Sequence, residues 1–192
     1  MKGLVEVIHT LEGLFDGCQA RRSYGGAIAY NYYGPPRFTQ DVVVLVLASA
    51  LHLPALVKSL ADAGCHREGA RGVPLPLPSV LEDLRGKGHL TSFFMYEIRV
   101  EWFAPWHPFH QRVLERSPER DLEGRLIRIH APEDLIVFKK IFDRPKDLMD
   151  IKAMLLSQKG HLDLERIRAE ATGLLADDQL KELNELIQEY GR

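Results

Sequence analysis

The stretch Arg37-Phe38-Thr39-Gln40-Asp41-Val42-Val43-Val44-Leu45-Val46 places one acidic side chain at the mouth of a strongly apolar run. A carboxylate in that position suits a hard cation, yet phosphoryl chemistry rarely rests on one carboxylate alone. In a strand, residues 41, 43 and 45 point to one face. Positions 43 and 45 are Val43 and Leu45, so Asp41 has no acidic neighbour on its own strand face. Upstream, Gly25 and Gly26 permit a sharp turn and close backbone approach. Downstream, Lys139, Lys140, Arg144 and Lys146 form a local basic group, and Asp147 and Asp150 share a helix face at i,i+3. His107 and His110 invite a zinc reading, but the pattern supplies no third ligand and Pro108 lies between them.

These side chains depend on elements that the residue patterns predict. Leu4, Val5, Ile8, Leu11, Leu14 and Phe15 recur at helical spacing over 4–17. "RRSYGG" leads into a short helix, "AIAYNYYG", that Gly34, Pro35 and Pro36 end. "DVVVLVL" over 41–47 is β-branched and apolar on both alternations, which predicts a strand buried on both faces. A helix over 53–63 has Pro54 at its start, and the Gly- and Pro-rich stretch 64–79 reads as a loop rather than a polyproline ligand. A short helix, "SVLEDLRGK", then precedes one or two strands in "HLTSFFMYEIRVEWFAP". A helix over 108–116 and a turn plus strand in "DLEGRLIRIH" follow. Pro132 with Glu133 and Asp134, and Pro145 with Asp147, open two further helices with acids at the positive end of the dipole. Two more amphipathic helices cover 163–172 and 176–190. The fold class is therefore α/β (α+β): a mixed sheet flanked by helices over 1–130, then C-terminal helices over 131–192 packed on that core.

Composition narrows the function classes. The 192 residues are 45% hydrophobic and 27% charged, a globular balance, with a formal net charge of −2 that gives no global pull on nucleic acid. Cys18 and Cys65 are too few for a disulfide framework or a zinc site. No run approaches the roughly 20 apolar residues of a membrane span. The N-terminal helix carries Glu6, His9 and Glu12, unlike a signal peptide. The expectation is a soluble, cytoplasmic protein.

Taken together, "YGGAIAYNYYGPPRFTQDVVVLV" resembles the first motif of the nucleotidyltransferase superfamily, in which a glycine turn opens a helix and a strand carries Asp-x-Asp. The spacing Arg37, Thr39, Asp41 looks like the AbiEii toxin-like branch and its small relatives. "IHAPEDLIVFKKIFDRPKDLMDIKAML" is similar to that branch's second signature, matched by Lys139, Arg144, Lys146, Asp147 and Asp150. The resemblance covers about residues 20–156. It implies transfer of a nucleotide from an NTP to an RNA, tRNA or protein acceptor with Mg2+ or Mn2+, and a cognate antitoxin as partner. By the same resemblance the catalytic residues are Asp41, Glu101, Lys139 and Asp147, with Asp41 and Glu101 as metal ligands and Glu97 as the fallback on the same strand face. Gly25, Gly26, Arg37, Thr39 and Lys139 would bind the nucleotide. The chain departs from the family at Val43, where the second Asp of the motif belongs.

Each of these residues also has a structural reading. Asp41 could be a loop acid, Gly25-Gly26 a plain turn, and Arg37 and Thr39 hydrogen-bonding supports for their loop. Glu101 could be a solvated strand residue, and Lys139 an ordinary helix lysine. Asp147 and Asp150 could cap a helix or pair with Arg144 or Lys146. Three functions follow: an active metal-dependent nucleotidyltransferase, a degenerate relative that binds a nucleotide or protein, and an interaction protein with no nucleotide site.

Overall fold

The computed structural model describes residues 3–191. In chain order these form α1 (Leu4–Gly17), β1 (Arg21–Tyr24), α2 (Gly26–Tyr30), β2 (Asp41–Leu47), α3 (Leu53–Asp62), α4 (Leu77–Arg85), β3 (Leu90–Met95) and β4 (Ile98–Phe103). Then come α5 (Pro108–Arg116), β5 (Glu119–Leu122), β6 (Arg125–Arg128), α6 (Pro132–Phe142), α7 (Pro145–Ser157), α8 (Leu164–Thr172) and α9 (Asp177–Tyr190). The fold is mixed α/β, as the periodicities predict. Contacts divide it into two compact units, one running to Gly25 and resuming over Thr39–Ile129, the other made of Gly26–Phe38 and the chain from His130 onward. No helix among the described residues is long and apolar enough to cross a membrane.

The first unit is built on a four-stranded sheet in the order β1-β2-β4-β3. β2 and β4 run parallel at its centre, and both flanking pairs are antiparallel. One face is largely apolar: Val42, Val44 and Val46 of β2, Val100 and Trp102 of β4, and Phe93 and Met95 of β3 are all buried, with Thr91 of β3 and Arg22 of β1 the polar exceptions. Each such side chain contributes about 1.5–3 kcal/mol on removal from water. α1 packs against β2 and α4 against β3. The opposite face is not equally closed. Asp41 and Arg99 are exposed, and Val43 and Glu101 are half-buried. β2 is therefore buried on both faces only over Val44–Val46.

Two sequence readings change here. Arg21–Tyr24, read as a lead-in to a turn, is a strand pairing with β2 from Arg21↔Leu47 to Tyr24↔Val44. Four residues are too few for alternation to declare a strand, and this one is defined by its partner. Glu97, placed on a strand face two repeats before Glu101, instead lies in the two-residue turn between Met95 and Ile98. The turn, with Tyr96 at φ 56°, resets the alternation, and the Glu97 carboxylate pairs with Arg71 at 2.8 Å. The stretch 119–128 is a two-stranded hairpin whose turn residues Glu123 and Gly124 both have positive φ, the requirement of a type I′ turn.

The second unit groups α2 with the C-terminal helices. α6 packs on α2, α7 and α8, and α9 packs on α7 and α8. Leu135, Ile136, Ile151, Met154, Leu155, Ile167, Leu183 and Ile187 fill its core. Pro132 and Pro145 occupy first-turn positions, where a missing N–H costs no helical bond. α6 stops at Asp143, which adopts the left-handed conformation and donates its N–H to the Lys139 carbonyl.

Candidate functional site

On the open face of the first unit, strand register determines which side chains are neighbours. In the parallel β2–β4 pair, Asp41 lies beside Arg99 and Val43 beside Glu101. Glu101 has Ser92 on its other side, on β3. Asp41 and Glu101 thus share a face but stand diagonally across the pair, with Val43 and Arg99 at the other corners. The Arg99 guanidinium reaches Glu101 Oε1 at 3.3 Å, with side chains 45% and 26% exposed. Among the described residues, no hydrogen bond or ion pair engages the Asp41 carboxylate. Arg99 escaped the sequence reading although it was available: it stands two residues before Glu101 and so shares its face.

Gly25 and Thr39, two of the residues predicted to bind nucleotide, are backbone supports in this unit. Gly25 donates its N–H to the Val43 carbonyl at 2.9 Å, which continues the β1–β2 ladder and brings the glycine main chain beside position 43. Gly26 follows at φ 56°, a conformation glycine adopts without steric cost. Thr39 Oγ1 lies 3.3 Å from both the N–H and the carbonyl of Asp41, donating to the carbonyl and accepting from the N–H. Thr39 thereby ties down the main chain at the start of β2 and leaves the carboxylate free of it.

In the second unit, the other predicted residues form an ion network. Asp150 Oδ2 accepts from Lys139 Nζ at 2.5 Å and from Arg37 Nη2 at 2.9 Å. Asp147 Oδ1 lies 3.7 Å from Lys139 Nζ, and Asp147 Oδ2 accepts from Arg144 Nε at 2.5 Å. Lys139, Asp147 and Asp150 are all buried, whereas Arg144 and Arg37 lie at the rim. The Tyr30 ring packs under both cations, with Arg37 Cζ and Lys139 Nζ each 5.3 Å from its centroid. Burial lowers the Lys139 pKa below its ordinary value, and the charge and hydrogen bond of Asp150 oppose that shift. Burial, with Asp150 nearby, raises that of Tyr30. Gly34 is required beside this ring, since a Cβ there would lie 2.7 Å from Tyr30 Cε2. Tyr30 is a participant the sequence reading missed, because an aromatic in a five-residue helix gives no periodic signal.

The remaining candidates separate cleanly. His107 Nδ1 accepts the Phe109 N–H at 3.2 Å and His110 Nδ1 accepts the Trp106 N–H at 3.3 Å, so each ring is used in helix entry. Among the described residues, no three His, Cys, Asp or Glu side chains come together in a way that could hold a metal ion. Trp102 and Phe109 are core residues, and Trp106 is 58% exposed.

The donor set on the sheet face does not fit a two-ion centre. Such a centre needs carboxylates bridging both ions. Here the position beside Glu101 holds an isopropyl group, and Glu101 itself faces a guanidinium rather than a second acid.

No family model matches the chain, and no curated protein matches it. The chain is similar to solved structures, one of them with a TM-score above 0.5. The crystal structure of ANT(2")-Ia in complex with adenylyl-2"-tobramycin superposes with a TM-score of 0.56 at 13% identity, over 88% of this chain and 97% of that one. An antigenic nucleotidyltransferase-like protein from Paracoccidioides brasiliensis gives a TM-score of 0.46 at 14% identity, over 93% and 92%. The chain therefore has a nucleotidyltransferase-like fold.

Proposed function

We propose that this protein is a degenerate nucleotidyltransferase that binds a nucleoside triphosphate on the Asp41 face of its sheet and does not carry out two-ion nucleotidyl transfer. The observation that carries this reading is the β2–β4 register: Val43 stands beside Glu101, and Glu101 is engaged by Arg99. The glycine turn supports nucleotide binding, since Gly25 brings main chain beside the same strand position and Gly26 turns the chain away from it. Lys139, Asp147 and Arg37 then serve the fold of the second unit, because each is already committed to an ion pair there.

A second reading keeps the transfer activity. It is favoured by the exposed Asp41 carboxylate, which no neighbour among the described residues engages and which could join the phosphates in holding one Mg2+ or Mn2+ ion. In that case the acceptor would be RNA, tRNA or a protein hydroxyl, and an AbiEii-like antitoxin would be the partner.

One pair of measurements separates the two. Calorimetry with each of the four ribonucleoside triphosphates should give binding with a Kd of about micromolar order. Incubation of the protein with each labelled triphosphate, Mg2+ or Mn2+, and bulk RNA or protein should give no labelled product. Labelled product formed by the native chain, and lost in Asp41→Asn, would establish the transferase reading instead.

A further inference from the structure

We propose that Arg99 is the built-in cation of the Asp41 face: it takes the place of a bound divalent ion and is the group that contacts the phosphates of the nucleotide. This inference rests on the nucleotide-binding reading above. Val43 adds no charge to the face, and Arg99 offsets one of its two carboxylates. Asp41, Arg99 and Glu101 together carry one net negative charge, so the strand pair has little need of a divalent counter-ion.

The geometry leaves Arg99 available for this role. A guanidinium presents five N–H donors in a planar fork. Its ion pair uses one nitrogen, at 3.3 Å from a single Glu101 oxygen. The Arg99 side chain is 45% exposed, and an ion pair in that setting is worth only about 0–1 kcal/mol. The remaining donors can therefore turn to an incoming phosphate at low cost, and Arg–phosphate contacts are charge-assisted and commonly bidentate. Arg99 also lies in register with Asp41, whose carboxylate has no partner among the described residues. Their strands are neighbours, roughly 4.8 Å apart, so the two side chains flank the same patch of this face.

Two measurements on the full chain test the inference. The first is calorimetry of each ribonucleoside triphosphate in excess EDTA and in excess Mg2+, for the native protein and for Arg99→Ala. The expected result is a native Kd that agrees within about threefold between the two conditions and weakens about tenfold or more in the variant. A native Kd that tightens tenfold or more with Mg2+, or a variant Kd that does not change, overturns the role of Arg99 and leaves the nucleotide-binding reading intact. Absence of binding in both conditions overturns both.

The second measurement uses Mn2+ alone, followed by water-proton relaxation, and does not depend on a nucleotide. The native protein should show no enhancement. Val43→Asp should bind Mn2+ weakly, and Val43→Asp combined with Arg99→Ala about tenfold more tightly. Saturable Mn2+ binding by the native chain, or equal affinity in the single and double variants, overturns the inference. Thermal melts of each variant verify that it is folded.

Discussion

Position 43 holds valine where the motif this stretch resembles carries its second acid. Valine is compatible with the strand, since it is β-branched and half-buried, and the fold loses nothing by having it. What it changes is the charge of the face. Beside it, Glu101 faces Arg99 rather than an acid. Elsewhere in the same unit, His110 shows how surroundings retune a group. Burial, helped by the neighbouring His107 and His89, lowers its pKa from 6.5 to about 4. The folded state holds His110 neutral where the unfolded chain would be protonated. Its contribution to stability is therefore complete above pH 6.5 and is lost as the pH falls toward 4. Urea midpoints for the native chain should fall between about pH 7 and about pH 4.5, and His110→Gln should fall less steeply. Equal slopes for the two proteins would show that His110 takes up protons alike in the folded and unfolded states.

Among the elements, the segment 26–38 and helices α6 and α7 are joined by charge as well as by apolar packing. Asp150 on α7 accepts from Lys139 on α6 and from Arg37 in the segment. Asp150→Ala would leave the buried Lys139 ammonium with Asp147, 3.7 Å away, as its remaining carboxylate. The expected cost is about 3 kcal/mol, the usual penalty for removing one partner of a buried pair. It is read as a drop in the denaturant midpoint. Tryptic cleavage after Arg37 should also accelerate, since the guanidinium loses its carboxylate and the loop loses a tether. A variant with unchanged midpoint and unchanged cleavage would show that the network is ornamental. The shared face of Asp147 and Asp150 was legible from their i,i+3 spacing, and the Arg144–Asp147 pairing from their nearness in sequence. The pairing of Asp150 with Arg37, across more than a hundred residues, was not legible, because no local rule connects them.

The whole molecule is discontinuous in sequence. The second unit takes Gly26–Phe38 from between two pieces of the first. Ala27, Ile28, Ala29 and Tyr30 are buried, and α2 packs on α6. A chain ending at Ile129 would retain these apolar residues and lose the helices they pack on. We expect that fragment to expose them, to associate on size-exclusion chromatography and to lack a cooperative melt. A monomeric fragment with a sharp transition would show that α2 needs no partner from the C-terminal helices.

Sequence alone determined the helices with strong periods, the apolar strand β2, the proline-led starts of α6 and α7, and the absence of an acid two residues after Asp41. These are local properties, set by spacing within one element. The tertiary structure decided what local spacing does not contain. It made a strand of Arg21–Tyr24 by giving it β2 as a partner, and it placed Glu97 in a turn. It also chose the parallel register that sets Val43 beside Glu101 and Arg99 beside Asp41. A register is a relation between two strands more than fifty residues apart, and only the packed core, with Val42, Val44, Val100 and Trp102 locked on its inner face, selects one.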